Sequence, residues 1–257
     1  MTKLPEDKKF IDFSDYARPF AVKLVEFLLP TKIGAYSITF SFLVIGLLAS
    51  YLIFVRQFMI YAAILILVKS LLDAADGEIA RQRNQLSMVG RYLDSIFDFI
   101  VNVALILSIA HGLDSNLIIV SSTIILFHLQ GSIFNYYYLI KRYQVNGDQT
   151  SRIFERDEPL PYERDNPKVL KILHKLYLII YAWQDYIIFK LDKKAIETKE
   201  LPGWFLSLVS LLGLGFQLLI ISVFIFLNIY ENVLFWFLIP HTILAILIIL
   251  IRKNFVR

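Results

Sequence analysis

Six long apolar stretches constrain the fold of this chain more than any other feature of its sequence. The hydrocarbon core of a bilayer requires about 20 mostly apolar residues per helix. The stretches that meet or approach this length are Ala35–Val55, Phe58–Leu72, Phe99–Ala110, Leu117–Ile140, Trp204–Asn228 and Val233–Ile251. Apolar residues make up 57% of the chain and the mean hydropathy is +0.61, values too high for an ordinary soluble domain. We therefore predict an all-α integral membrane protein with six transmembrane helices.

The distribution of basic residues predicts the orientation of these helices. If the six helices alternate in direction, 24 of the 26 Lys and Arg residues fall on one side, while Arg56 falls on the other and Lys69 lies within the second helix. Basic residues favour the cytoplasmic side. We therefore predict a multi-pass protein of a bacterial inner membrane or an endomembrane. Both termini, the polar segment 73–98 and a long loop at 141–202 would be cytoplasmic.

Two segments outside the apolar stretches are typical of the membrane interface. In residues 1–34 we predict a cytoplasmic region, without a cleaved signal peptide, that contains an amphipathic helix at Phe20–Leu29. Residues 35–257 would form the transmembrane domain. Lys168–Leu191 mixes lysines with aromatic residues, a combination suited to lipid headgroups. A seventh span there is the competing interpretation, although Gln184 and Asp185 interrupt the apolar run.

The polar segment between the second and third stretches carries acidic residues at helical spacing. Its skeleton is Asp73-x2-Asp76-Gly77-x2-Ala80-Arg81-x8-Gly90-x3-Asp94-x3-Asp98. Residues four apart on a helix lie on nearly the same face, so the last three residues of this series share a face. We therefore predict that two helices, joined by a short loop around Arg83–Ser87, bring the four carboxylates into one cleft at the cytoplasmic surface.

Four carboxylates this close require compensating cations, because they cannot all stay ionised in a site of low dielectric constant. Mg²⁺ or Mn²⁺ prefers oxygen ligands, and two ions match the carboxylate count. Gly77, Ala80 and Gly90 have little or no side chain, which leaves room for a phosphate-bearing ligand beside the backbone. Arg81 can donate to phosphate oxygens. Together these features predict a nucleotide-diphosphate site, and the absence of cysteine excludes a thiolate metal site.

The same skeleton resembles, position for position, the signature of the CDP-alcohol phosphotransferase (CDP-alcohol phosphatidyltransferase) family. That signature is DG-x2-AR-x8-G-x3-D-x3-D, with another Asp three residues before the first. The resemblance implies six transmembrane helices with an N-terminal amphipathic segment, and a catalytic role for the transmembrane domain. It also implies a transferase of phospholipid biosynthesis that uses a CDP-linked donor and an alcohol acceptor, one of them a lipid.

The resemblance further assigns a role to each residue of the signature. It implies that two divalent ions are bound by Asp73, Asp76, Asp94 and Asp98. It implies that the CDP moiety is held by Asp76, Gly77, Ala80, Arg81 and Gly90. The general base would be Asp98, which would deprotonate the acceptor hydroxyl before this attacks the β-phosphorus and expels CMP.

The sequence leaves both substrates open. The donor is either CDP-diacylglycerol, with a soluble alcohol as acceptor, or a soluble CDP-alcohol, with a lipid as acceptor. The last two apolar stretches contain no Arg or Lys, so a phosphorylated acceptor would have to be bound by Lys141, Arg142 or the long loop. A membrane transporter and a non-catalytic scaffold are the competing functions. We expect contacts with membrane lipids and no nucleic-acid partner.

Several other residues have two possible interpretations. For Lys69 we favour an ion pair with Asp73, or a snorkelling side chain, over a catalytic role. Asn102 would either orient Asp98 or form an interhelical hydrogen bond, and Asn135 is a candidate for the cavity wall. The basic residues after the fourth stretch favour anionic headgroups and topology over an acceptor site; they are Lys141, Arg142, Arg152 and Arg156.

A homodimer is the last expectation. It comes from the family resemblance and from the small residues Ser207, Ser210 and Gly213, whose three-residue spacing would permit close contact between helices.

Overall fold

The computed structural model describes residues 4–113, 115–147 and 151–256. All regular secondary structure within these ranges is helical. The α-helices are α1 (Arg18–Leu28), α2 (Ala35–Phe54), α3 (Met59–Gln82), α4 (Met88–Ala110), α5 (Leu117–Gln144), α6 (Pro167–Leu191), α7 (Gly203–Val209), α8 (Leu214–Phe226), α9 (Val233–Leu238) and α10 (Pro240–Phe255). Short 3₁₀ helices occur at Glu6–Lys8, Phe13–Asp15, Lys193–Glu197, Ser210–Leu212 and Tyr230–Asn232.

Local sequence explains where several helices begin. The side chain of Ser87 accepts a hydrogen bond from Gly90 N at the start of α4, and that of Asn116 caps α5 in the same way. Asn166 caps α6, which begins with Pro167. Short polar side chains satisfy the unpaired N–H groups of a first helical turn, and proline has no N–H to leave unpaired.

One end of the helix bundle, called here the distal end, is marked by Arg56. This residue follows α2, and its guanidinium donates to the carbonyl of Ile109 at 2.7 Å and to that of His111, both at the end of α4. It also lies 4.5 Å from the ring centroid of Tyr230, between α8 and α9. The α2–α3, α4–α5 and α8–α9 connections therefore meet at this end.

The opposite end, called here the proximal end, contains both terminal regions. Lys8 and Lys141, at the end of α5, both form ion pairs with Glu200, which precedes α7. Arg252, near the end of α10, pairs with Asp192 at the end of α6. Within the described residues, α2, α3, α4, α5, α7–α8 and α9–α10 consequently run alternately between the two ends.

Several of these segments are suited to crossing a bilayer. In the described residues, four have the required length and hydropathy: Ala35–Phe54, Met88–Ala110, Leu117–Gln144 and Tyr230–Phe255. A fifth is added if α7–α8 counts as one span, bent by 48° at Gly213. The remaining traversing helix, α3, does not meet the same criterion because its second half is polar. The predicted short loop around Arg83–Ser87 is confirmed, since only these residues separate α3 from α4.

Helix α6 lies across the proximal end of the bundle. Asp165, just before α6, accepts a hydrogen bond from Met88 N at the start of α4. At the other end of α6, Asp192 accepts hydrogen bonds from the hydroxyls of Tyr136 and Tyr137 on α5. Because both ends of α6 contact proximal parts of the bundle, this geometry supports the interfacial interpretation over a seventh span.

The N-terminal segment packs against the small residues that had suggested a dimer. Ser210 is buried and accepts a hydrogen bond from Phe13 N at 2.9 Å. A Cβ at Gly213 would lie 2.4 Å from Ser14 Cβ, and one at Gly215 would lie 1.9 Å from Ser14 O. These small residues therefore accommodate the chain's own N-terminal segment, and they give no support to a homodimer.

The largest cluster of buried apolar residues lies in the distal half of the bundle, and smaller clusters lie in the proximal half. In the distal half, buried apolar residues pack around Phe127 and Phe237, whose ring centroids are 4.9 Å apart. Gly46 allows α2 to approach α4, because a Cβ there would lie 2.6 Å from a methyl carbon of Val101. The proximal half also contains a cavity of about 570 Å³, whose wall includes Phe127. The candidate site therefore borders the distal core.

Candidate active site

The cavity in the proximal half brings the whole signature together. Its wall includes all eight residues of the sequence skeleton: Asp73, Asp76, Gly77, Ala80, Arg81, Gly90, Asp94 and Asp98. The first five come from α3 and the last three from α4. The prediction that the two helices face one cleft is therefore confirmed.

Three of the four signature carboxylates form a compact acidic group. Asp73, Asp76 and Asp94 each offer one oxygen, and these three oxygens lie within 4.8 Å of one another. Asp94 Oδ1 is buried and has no hydrogen-bond partner among the described residues. A buried polar atom without a partner is costly, and a divalent cation with oxygen ligands would satisfy it. The arrangement consequently fits a metal ion such as Mg²⁺ or Mn²⁺.

Asp76 is oriented by a residue that the sequence analysis missed. Thr39, buried on α2, places its hydroxyl 2.6 Å from Asp76 Oδ2, within hydrogen-bond distance. The signature does not extend to α2, and contacts between helices cannot be read from spacing along one helix. Thr39 is one of three Ser or Thr residues near the start of the first apolar stretch, with Ser37 and Ser41, so the sequence alone did not single it out.

The fourth carboxylate, Asp98, is paired with a buried lysine. Lys69 on α3 is 1% exposed and forms ion pairs with Asp98 and, at 3.4 Å, with Asp73. Its ammonium also lies 4.7 Å from the ring centroid of Phe42 on α2. The predicted ion pair between Lys69 and Asp73 is confirmed. The contact with Asp98 was not predicted, because it joins two helices.

Arg81 is held in place by an ion pair with Glu78 on the same helix. Its guanidinium donates to Glu78 at 2.9 Å while the residue lines the cavity. A Cβ at Gly77 would lie 3.3 Å from Arg81 Nη1, so the absence of a side chain at Gly77 leaves space for the guanidinium. At Gly90 the nearest protein atom to an added Cβ is Ser87 Oγ, at 3.5 Å, which is an ordinary contact. The space beside Gly90 therefore belongs to the cavity.

Parts of the cavity wall lie outside the signature and were mostly not predicted. The N-terminal segment contributes Asp12, Ser14, Asp15 and Arg18, α5 contributes His128, Ser132 and Asn135, α6 contributes Tyr177, Tyr181 and Asp185, and α8 contributes Gln217. Of these, only Asn135 was a candidate from the sequence. The mixture of lysine and aromatic residues in α6 indicated an interface, but not which of its residues face the bundle.

The basic residues after the fourth stretch have different environments. Lys141 is buried, with its ammonium 2.6 Å from Glu200 and 2.8 Å from the carbonyl of Leu201, so it fixes the chain before α7. Hydrogen bonds from Lys141 and Lys8 lower the pKa of Glu200. Among the four basic residues considered from the sequence, Arg142 is the one that lines the cavity.

The comparisons with known proteins agree with this geometry. The family model for CDP-alcohol phosphatidyltransferase matches residues 27–156, which include the whole signature and half of the chain. No curated protein sequence shows a match to this chain. The extent of the family match shows that this protein belongs to the CDP-alcohol phosphatidyltransferase family, whose members are transferases.

Proposed function

We propose that this protein transfers a substituted phosphoryl group from a CDP-linked donor to an alcohol, releases CMP, and acts in phospholipid biosynthesis. The observation that carries the proposal is the meeting of all eight signature residues in one cavity, with three carboxylates grouped there. Asp94 Oδ1, buried without a partner among the described residues, supports a cation at this point. Family membership supports the reaction class.

A divalent ion, Mg²⁺ or Mn²⁺, would be held by Asp73, Asp76 and Asp94. When bound, it would neutralise the negative charge of the diphosphate. The second ion implied by the family resemblance would require Asp98 as a further ligand. The donor set is made of carboxylates, which suits these hard cations.

The CDP moiety of the donor would lie against α3 and α4. Asp76, Gly77, Ala80, Arg81 and Gly90 line this part of the cavity. Arg81 has more N–H groups than its ion pair with Glu78 uses, and the remaining donors suit phosphate oxygens. The small residues leave the backbone accessible to a flat or phosphate-bearing ligand.

Asp98 would act as the general base. The acceptor oxygen forms a bond to the β-phosphorus, and the bond from that phosphorus to the bridging oxygen of CMP breaks. The hydroxyl proton passes to the Asp98 carboxylate, and CMP leaves with the electron pair of the broken bond. Lys69 would orient Asp98 through the ion pair between them.

The membrane arrangement follows the alternation of the helices. We propose six spans, with α3 as the second of them although its proximal half is polar. The proximal end, which contains the aspartates and both terminal regions, would face the cytoplasm because it also carries most of the basic residues.

The proposed reaction is tested by measuring CMP release from the purified protein in Mg²⁺. The donors would be CDP-diacylglycerol, CDP-ethanolamine and CDP-choline, each combined with soluble alcohols and with diacylglycerol. At least one pair should release CMP together with an equal amount of phosphodiester product. Absence of CMP from every pair, from protein that remains folded, would contradict the proposal.

A further inference from the structure

Three buried polar residues outside the signature line the cavity from α4, α5 and α8. They are Asn102 on α4, His128 on α5 and Gln217 on α8, and their exposed fractions are 3%, 7% and 0%. All three line the same cavity as the signature. Asn102 follows Asp98 by one helical turn, so Asn102 lies beside the proposed base.

Each of the three residues has a buried atom with no hydrogen-bond partner among the described residues. These atoms are Asn102 Oδ1, His128 Nε2 and Gln217 Oε1. Nearly all buried polar atoms in native proteins have a partner, so three such atoms around one cavity indicate that a ligand supplies it.

Hydrogen bonds around Gln217 determine which of its atoms is available. Its Nε2 donates to the carbonyl of Phe127 at 3.0 Å and approaches Gln130 Oε1 at 3.4 Å. Gln130 is held in turn, because its Nε2 donates to the carbonyl of Phe237 at 2.9 Å. The amide nitrogen of Gln217 is thus engaged, and its buried oxygen is left as an acceptor without a partner among the described residues.

His128 is also fixed in one orientation. Its Nδ1 lies 2.8 Å from the carbonyl of Ile124, and a carbonyl only accepts, so Nδ1 carries the hydrogen. The ring packs against Phe99 and Phe127, with centroids 4.7 and 5.5 Å away. Nε2 consequently presents a lone pair and acts as an acceptor.

The chemistry of these atoms selects the kind of ligand. Two amide oxygens and one imidazole lone pair require a ligand with several hydrogen-bond donors, whereas phosphate oxygens would meet other acceptors. Lys69 is engaged by Asp73 and Asp98. Arg142 lies 14 residues from His128 on the same helix, which is roughly 21 Å along its axis. This part of the cavity therefore suits an uncharged ligand with hydroxyl groups.

We propose that Asn102, His128 and Gln217 form the acceptor subsite, and that the acceptor is a soluble, uncharged polyol. Its hydroxyls donate to the three acceptor atoms while a further hydroxyl reaches Asp98. This inference rests on the proposed transferase function. Because one of the two substrates is a lipid, a soluble polyol acceptor makes the donor a CDP-linked lipid.

The test compares acceptors and variants with CDP-diacylglycerol as donor. Glycerol and myo-inositol would be assayed against glycerol 3-phosphate, ethanolamine and diacylglycerol. We expect a neutral polyol to have the highest kcat/KM. Asn102→Leu and His128→Phe should each raise the KM for that polyol about threefold to tenfold, the scale of one lost neutral hydrogen bond, with the KM for the donor unchanged.

Thermal stability separates this role from a structural one. Asn102 Oδ1 has no partner among the described residues, so Asn102→Leu should not lower the Tm. Thr123→Val is the matched control, because Thr123 is buried on the same helix as His128 and is outside the cavity wall. It should leave both KM values unchanged.

Two results would overturn the proposed acceptor subsite but leave the transferase function standing. One is a preference for glycerol 3-phosphate, ethanolamine or diacylglycerol as acceptor, and the other is an unchanged KM for the polyol in both variants. If wild-type protein released no CMP with any donor and acceptor of the wider panel described above, the transferase function itself would be wrong.

Discussion

At the scale of single residues, the ion pair between Lys69 and Asp98 has the greatest consequence for the proposed chemistry. Lys69 is almost fully buried, so its charge depends on the carboxylates around it. The helical spacing of the signature residues predicted that Asp98 lies on the cavity face of α4. It could not show that a lysine from α3 meets it, because the pairing depends on how the two helices pack.

The role of Asp98 is tested by Asp98→Asn. If Asp98 is the general base, turnover should fall by about 10² or more, while the KM for the CDP-linked donor changes little. The assay is steady-state CMP release at saturating Mg²⁺, with Asp157→Asn on the exposed loop as the control. Near-normal turnover of the Asp98 variant would show that the base lies elsewhere.

The role of Gly90 is tested by Gly90→Ala. The nearest atoms to the added Cβ, on Ser87 and Tyr36, are 3.5 and 3.6 Å away, so the Tm should not fall. The methyl group would occupy space proposed for the donor, and we expect the KM for the donor to rise about tenfold. In the control variant Gly203→Ala, the nearest atom to the added Cβ is 3.6 Å away and the position is outside the cavity. This variant should neither lower the Tm nor change the KM for the donor. An unchanged donor KM in Gly90→Ala would remove Gly90 from the proposed donor site.

At the scale of helices, a loop residue positions the start of α4. Asp165 is 8% exposed and accepts hydrogen bonds from Met88 N at 2.9 Å, from Tyr162 N at 3.0 Å and from the hydroxyl of Ser87. Carboxylates at a helix N-terminus stabilise it. Asp165 lies beyond the family match, and the sequence offered no motif for it. The helical spacing of the signature, by contrast, predicted the faces of α3 and α4 correctly.

Removal of this cap should reduce stability. Asp165→Ala leaves three backbone N–H groups, those of Met88, Val89 and Tyr162, without this acceptor. We expect a loss of roughly 1–2 kcal/mol in the free energy of unfolding. Thermal unfolding in mild detergent measures the effect as a lower Tm. Asp157→Ala, on an exposed part of the same loop, should leave the Tm unchanged. Equal Tm values for the two variants would contradict the role of Asp165.

At the scale of the whole molecule, hydropathy predicted the helices better than their contacts. Six apolar stretches correspond to the six segments that traverse the described bundle, including α3, whose polar half is needed for the site. The position of residues 10–18 against α8 and the cavity was not predictable, because no periodic pattern encodes the packing of a short non-helical segment. The same holds for the path of α6 across the proximal end.

The proposed topology is tested with single cysteines, for which the natural chain provides a background free of cysteine. Cysteines at the exposed positions Asn116 and Glu231 should react with a membrane-impermeant reagent added outside intact cells. Those at Lys199 and Asn254 should react only after the membrane is permeabilised. Labelling of positions 116 and 199 from the same side would contradict six spans with cytoplasmic termini.

We propose that transfer from the CDP-linked donor requires a divalent ion held by the carboxylates of α3 and α4. The most direct measurement is CMP release by wild-type protein and Asp76→Asn, each assayed in excess EDTA and after Mg²⁺ or Mn²⁺ is restored. The asparagine can still accept the hydrogen bond from Thr39, so this variant should remain folded. We predict that wild-type activity disappears in EDTA and returns with the metal, and that Asp76→Asn stays inactive in both conditions. Full turnover of the wild-type protein in excess EDTA would contradict the account.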